Sequence, residues 1–174
     1  VGKSTLSDFL VEYVLGRKIA MKSGSHPLVS GYNKSLMGKL LVVFEELPTF
    51  SKSEWEGVSA QLKEMITGTM YNYNDKYEKM ITCPNLNNYI INTNVSAIQH
   101  NEGRRYCILD LSNVHKQDHV YFHALRQTCF NNAVGEAFFC FMNEIDLHGF
   151  YSQNLPETKA KNEAIINRLD SSYV

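Results

Sequence analysis

Apolar residues fall at Leu6, Phe9, Leu10, Tyr13 and Val14, the spacing of one buried helical stripe, and Gly16 follows as a stop. The pattern predicts a helix over residues 4–15, so the chain opens at a helix N-terminus. Residues 17–39 are polar and broken by glycines, with 19–21 as one short strand. Residues 40–44 (Leu-Leu-Val-Val-Phe) then form an unalternated apolar run, which marks a strand covered on both faces, as in a parallel sheet. Ser53-Glu54-Trp55-Glu56 reads as a capping box, and Trp55, Val58, Leu62, Met65 and Ile66 carry a second helical stripe to Gly68.

Residues 69–83 are rich in Tyr and Thr around Asn74-Asp75, which predicts a β-hairpin or extended loop with Lys76 at its tip. Residues 89–93 and 106–111 read as two more short strands, giving an α/β order. Beyond Asn113 the pattern turns helical, over 120–129, 134–145 and 156–169. The division this suggests is a core over residues 1–113 and a C-terminal helical annex over 114–174.

Composition narrows the function classes. The 174 residues carry 17 Lys and Arg against 18 Asp and Glu, a net charge of −1, so any polyanion must be held by a local basic cluster and not by bulk charge. Four cysteines without CxxC spacing suggest a reducing, intracellular compartment: host cytoplasm, or a virion if the source is viral. No apolar run matches a membrane span and no signal-like start is present, so no membrane partner is expected.

Val1-Gly2-Lys3-Ser4-Thr5, leading straight into a helix, looks like the second half of a phosphate-binding loop, GxxxxGK[ST]. In such a loop, backbone N–H groups at a helix N-terminus cradle phosphate oxygens, the lysine reaches the β/γ-phosphates, and the following hydroxyl ligates Mg²⁺. An ordinary helix cap is the plainer reading of the tetrapeptide alone. The apolar run 40–44 delivers Glu45 and Glu46 at its C-terminal end, where ligands bind in open parallel sheets. Glu45 is assigned to Mg²⁺ and Glu46 to the water attacking the γ-phosphate. Asn94 closes the next strand, where an amide can bond a phosphate oxygen or the attacking water. Arg104 and Arg105 enter the strand after it, within guanidinium reach of a phosphate on the same or a neighbouring subunit. His115, His119 and His123 recur every four residues without an HExxH pattern, so a solvated helix start is preferred to zinc.

In this order, LLVVFEELP, QLKEMITG, NDKYEK, YIINTN and GRRYCILDL resemble the superfamily 3 helicases of viruses, phages and plasmids, especially the primase-helicase branch of poxvirus-like and large DNA viruses. The resemblance implies a P-loop NTPase of AAA+-like character with a mostly parallel sheet. It makes Gly2, Lys3, Ser4 and Thr5 the Walker A end, Glu45 and Glu46 Walker B, Asn94 the sensor asparagine, and Arg104 or Arg105 an arginine finger acting across a subunit boundary. Its motif B′ covers residues 63–79, whose hairpin presents Lys76, Tyr77 and Lys79 to single-stranded DNA in the channel of a hexamer. ATP and Mg²⁺ are the implied cofactors, and single-stranded or forked DNA and further copies of the chain the implied partners. The chain starts with Val1 inside Walker A, so the first strand and the first half of that motif are expected upstream, with room for a primase or polymerase domain in the same chain. Two rivals stand beside a DNA helicase or translocase in replication. One is another P-loop ATPase, a packaging motor or AAA+ remodeller; the other is a non-catalytic nucleic-acid-binding or assembly module.

Overall fold

The computed structural model describes residues 2–93, 105–152 and 154–169. In chain order the elements are α1 (Lys3–Phe9), continued by a π-helical turn (Leu10–Val14), β1 (Ala20–Ser23), α2 (His26–Val29), a 3-10 turn (Lys34–Leu36), β2 (Leu41–Glu45), α3 (Lys52–Thr67), β3 (Met70–Tyr73), β4 (Ile81–Pro84) and β5 (Asn88–Asn92), then α4 (His119–Cys129), α5 (Asn132–Glu144) and α6 (Lys159–Leu169). The fold is mixed α/β. Its sheet has the order β1-β2-β5, every pairing parallel, with Leu41 opposite Ala20 and Glu45 opposite Asn92.

Period-two alternation sorts the strand side chains onto two faces. Val42 and Phe44, with Met21, Tyr89 and Ile91, join Trp55, Val58, Leu62 and Met65 in the larger core beneath α3. Leu41 and Val43, with Ala20 and Ile90, meet Leu10 and Val11 on the α1 side. Both faces of β2 are therefore covered, as its unbroken apolar run predicts.

The capping box of α3 sits two residues earlier than expected. Ser51, not Ser53, is the N-cap: its hydroxyl accepts the Glu54 N–H, and the Glu54 carboxylate accepts the Ser51 N–H at 2.8 Å. Both serines have a glutamate three positions on, so spacing alone does not choose between them. The earlier start also sets Phe50, just before the cap, against Trp55, with ring centroids 6.1 Å apart, and this apolar staple fixes the entry of the helix.

β3 and β4 pair antiparallel, as residues 69–83 predict, with Tyr71 opposite Cys83. Asn33 clamps the first strand of this hairpin where it runs into the loop. Its buried side chain donates to the Tyr71 hydroxyl and the Asn72 carbonyl, each at 3.2 Å, and accepts the Asn74 N–H at 2.7 Å. Residues 106–111, expected as a strand, are irregular. Only Tyr106 is buried there, Leu109 is 73% exposed, and the Ile108 carbonyl accepts the Thr158 hydroxyl at 2.5 Å. A strand needs a ladder partner, and this segment gives that carbonyl to a side chain beside α6.

The three helices expected after Asn113 are present as α4, α5 and α6, with no strand between them among the described residues. α4 and α5 lie against α1 and its π turn. Phe9 meets Phe130 and Phe138, both with centroids 5.7 Å away, and a Cβ placed on Gly135 would fall 2.0 Å from the Tyr13 carbonyl oxygen. No described helix is long and apolar enough to cross a membrane.

Candidate functional site

The same alternation builds a polar cluster at the C-terminal end of the sheet. Positions 20 and 22 of β1, 41, 43 and 45 of β2, and 90 and 92 of β5 face α1, and each series ends in a polar residue: Lys22, Glu45 and Asn92. The Ser4 hydroxyl donates to Glu45 Oε2 at 3.1 Å. On the other carboxylate oxygen, Oε1, converge Lys22 Nζ at 2.9 Å and Asn92 Nδ2 at 3.2 Å. Asn92 is buried and also donates to the Ser7 hydroxyl at 2.6 Å. Lys3 donates to the Thr93 carbonyl at 2.6 Å.

Gly2 caps α1 with a left-handed backbone, φ 88°, and no side-chain cap bond, while Thr5 N–H bonds the Gly2 carbonyl at 3.1 Å. A Cβ at Gly2 would lie 3.1 Å from the ring of Phe122, so α4 closes against the start of the helix. Glu46 follows directly after β2. It is exposed and left-handed at φ 50°, and its N–H bonds the Asn92 carbonyl at 2.8 Å. A residue with a Cβ resists that backbone conformation, and such strain concentrates at functional positions.

Lys22 joins two carboxylates, since it also bonds Asp8 Oδ1 at 2.6 Å, and Asp8 faces Arg126 of α4 at 3.7 Å. Partial burial pulls the Lys22 ammonium pKa down, but hydrogen bonds and charge from Asp8 and Glu45 outweigh it and hold the group above the ordinary lysine value.

Of the remaining candidates, Lys76, Tyr77 and Lys79 all lie on the exposed loop between β3 and β4. Tyr77 is 92% exposed at φ 65°, with the Lys76 ammonium 5.0 Å from its ring centre. Lys34, next to the Asn33 clamp, pairs with Glu78 of the same loop. Arg105 is half-buried, while Asn94 and Arg104 lie outside the described residues. His115 stacks on Tyr121 and bonds Asp118 at 3.1 Å; Asp118 caps α4 through the Tyr121 N–H. That N–H bond, followed by the one to His115, holds the Asp118 carboxyl below the ordinary aspartate value. Among the described residues no group of three or more His, Cys, Asp or Glu side chains could hold a metal ion.

Sequence reasoning missed Lys22, Asp8 and Asn92. The signal for Lys22 and Asn92 was a polar residue at a core-facing strand position, readable once the strand register is known. Asp8 gave no signal of its own, because its role depends on which face of α1 meets β1.

Fold and cluster define an α/β domain with a parallel sheet, whose strand ends meet the first turn of a helix bearing Gly-Lys-Ser-Thr. The chain belongs to the family of unknown function DUF5906, which matches residues 1–105. No curated protein matches it. Among solved structures it is similar to the C-terminal region of NrS-1: the A form apo structure has 24% identity and a TM-score of 0.75, covering 96% of this chain and 40% of that one. A second apo structure of that region has 23% identity and a TM-score of 0.70, with 96% and 40% covered. The likeness is one of fold, and the chain spans about 40% of the length of those structures.

Proposed function

We propose that this chain supplies the P-loop ATPase core of a superfamily 3-like DNA helicase or translocase acting in replication. The observation that carries the reading is the meeting of Ser4 and Glu45, a hydroxyl and a carboxylate 3.1 Å apart, one residue along from Lys3 and at the end of the central parallel strand. Two hard oxygen donors suit Mg²⁺, which keeps waters and substrate phosphate oxygens for its other positions. Ser4 and Glu45 would hold the ion, whose contribution when bound is to neutralise developing charge on the phosphates.

The chain's own groups supply the rest. Backbone N–H groups from Gly2 to Thr5 cradle phosphate oxygens, and the Lys3 ammonium exchanges the Thr93 carbonyl for the β/γ-phosphates of ATP. Glu46, exposed past the strand end, accepts the proton of the attacking water. Asn92 orients Glu45 from one side, with Asn94 as the sensor two residues on. Arg105 or Arg104 acts on the ATP of a neighbouring copy, which calls for a ring, taken as a hexamer. On the exposed loop, Lys76 and Lys79 hold the phosphates of single-stranded DNA, and Tyr77 gives a stacking face indifferent to sequence. A nearly neutral chain can bind DNA this way because symmetry multiplies a few lysines.

The test is nucleotide binding and turnover by the full-length protein. Lys3→Ala should abolish ATP binding, and Glu46→Gln should keep binding and stop hydrolysis. Wild-type turnover in Glu46→Gln sinks the assignment of the base, and ATP binding that survives Lys3→Ala sinks the phosphate cradle.

A further inference from the structure

The phosphate-cradle reading gives no task to the Lys22 ammonium, which stands on the same carboxylate as Ser4. We propose that Lys22 is a positioning residue: it holds the Glu45 carboxylate while no divalent cation is bound, and lets go of Glu45 and stays on Asp8 when a cation takes Glu45. The inference rests on the Ser4–Glu45 cation reading above and deepens it.

Three observations carry it. Lys22 lies between two acids, 2.6 Å from Asp8 and 2.9 Å from Glu45, so it can give up one partner and keep the other. Its bond goes to Glu45 Oε1, whereas Ser4 reaches Oε2, so the ammonium stands on the carboxylate oxygen away from the hydroxyl. All three charged side chains are about one-fifth to one-third exposed, which screens the pairs less than a surface ion pair. A divalent ion at Ser4 and Glu45 repels an ammonium on the same carboxylate, and a lysine on its four-carbon stem moves readily. Asp8 gives it a place to stay, with Arg126 on the acid's far side. Cation binding therefore competes with Lys22 for Glu45 and is favoured by Asp8.

The experiment titrates Mn²⁺ into the full-length protein with ADP present, following free Mn²⁺ by electron paramagnetic resonance, beside ADP affinity in EDTA. Lys22→Met removes the competitor and should tighten Mn²⁺ about three- to tenfold, the worth of one partly screened ion pair. Asp8→Asn removes the partner it keeps and should weaken Mn²⁺ by a similar factor, while Lys22→Arg should restore affinity near that of the wild type. ADP affinity in EDTA should not change in any of them. Opposite shifts separate this role from a structural one, in which both substitutions loosen the site and weaken Mn²⁺ together. Shifts of the same sign, or none for Lys22→Met in a protein that binds Mn²⁺, overturn the proposal and leave the cation site standing. A wild-type protein that binds no Mn²⁺ overturns both. Should Lys22→Met fail to fold, the Asp8→Asn and Lys22→Arg arms decide alone: weaker binding in the first with wild-type binding in the second supports the proposal, and any other pair of results overturns it.

Discussion

Asn33→Ala tests whether one side chain holds the hairpin to the body. Three side-chain hydrogen bonds are lost, to the Tyr71 hydroxyl, the Asn72 carbonyl and the Asn74 N–H. A neutral bond is worth about 1 kcal/mol net, and more where the abandoned partner stays buried. Tyr71 is buried and keeps only the long bond from the Gln61 amide at 3.5 Å, whereas half-buried Asn74 regains water, so the expected cost is about 2–3 kcal/mol. In urea, with a slope of about 1.5–2 kcal/mol per molar, the midpoint should fall by about 1–2 M. Amide hydrogen exchange locates the damage. Protection should drop in β3 and β4 at denaturant levels where β1, β2 and β5 remain protected. A midpoint within about 0.3 M of the wild type, or a loss of protection spread evenly over the sheet, refutes the clamp.

Gly135→Ala should destabilise by about 2–3 kcal/mol, because the added Cβ would sit 2.0 Å from the Tyr13 carbonyl oxygen and α5 must lift away; an unchanged melting temperature would contradict the close approach. Asp118 should titrate below its ordinary value of 3.8 by carbon-detected NMR. Since its folded pKa is lowered, the cap stabilises above the unfolded pKa and the gain is lost as pH falls through the folded one, so a midpoint at or above 3.8 argues against the cap. Lys76→Ala with Lys79→Ala should weaken single-stranded DNA binding and reduce its log–log salt slope by about 0.7 per contact while ATP binding survives, and an unchanged slope favours a remodeller over a helicase.

How much could be read in advance depended on whether an element's partner was nearby in sequence. The run 40–44 announced a strand covered twice because an unalternated strand has no solvent face, and the stripe from Trp55 to Met65 announced α3 because its period is local. Ser51 and Ser53 satisfied the same capping spacing, and Phe50, which decides between them, acts through a contact with Trp55 that no spacing rule contains. Residues 106–111 had strand composition, yet a strand is made by its neighbour, and the Thr158 hydroxyl took the Ile108 carbonyl. In the candidate site, Ser4 and Glu45 could be paired in advance by motif. Lys22 and Asn92 could not, because their roles appear only when three strands are laid in register.

The clamp at Asn33 also constrains how the loop at 74–80 can travel. Leu36, three residues on, is fully buried in the same core as Tyr71 and Tyr73, and Asn87 ties the Leu36 and Lys39 carbonyls at 2.8 Å each, just before β2 begins. Hairpin, 3-10 turn and β2 are thus welded into one body, and β2 cannot slip to release it: a one-residue shift would turn Phe44 and Val42 toward α1. Bending where the loop leaves β3 would have to break buried hydrogen bonds and core packing. In the proposed translocase, a stroke of the loop would therefore be a rotation of the whole domain, with the hairpin as a stiff oar and its reach set by the distance from the pivot.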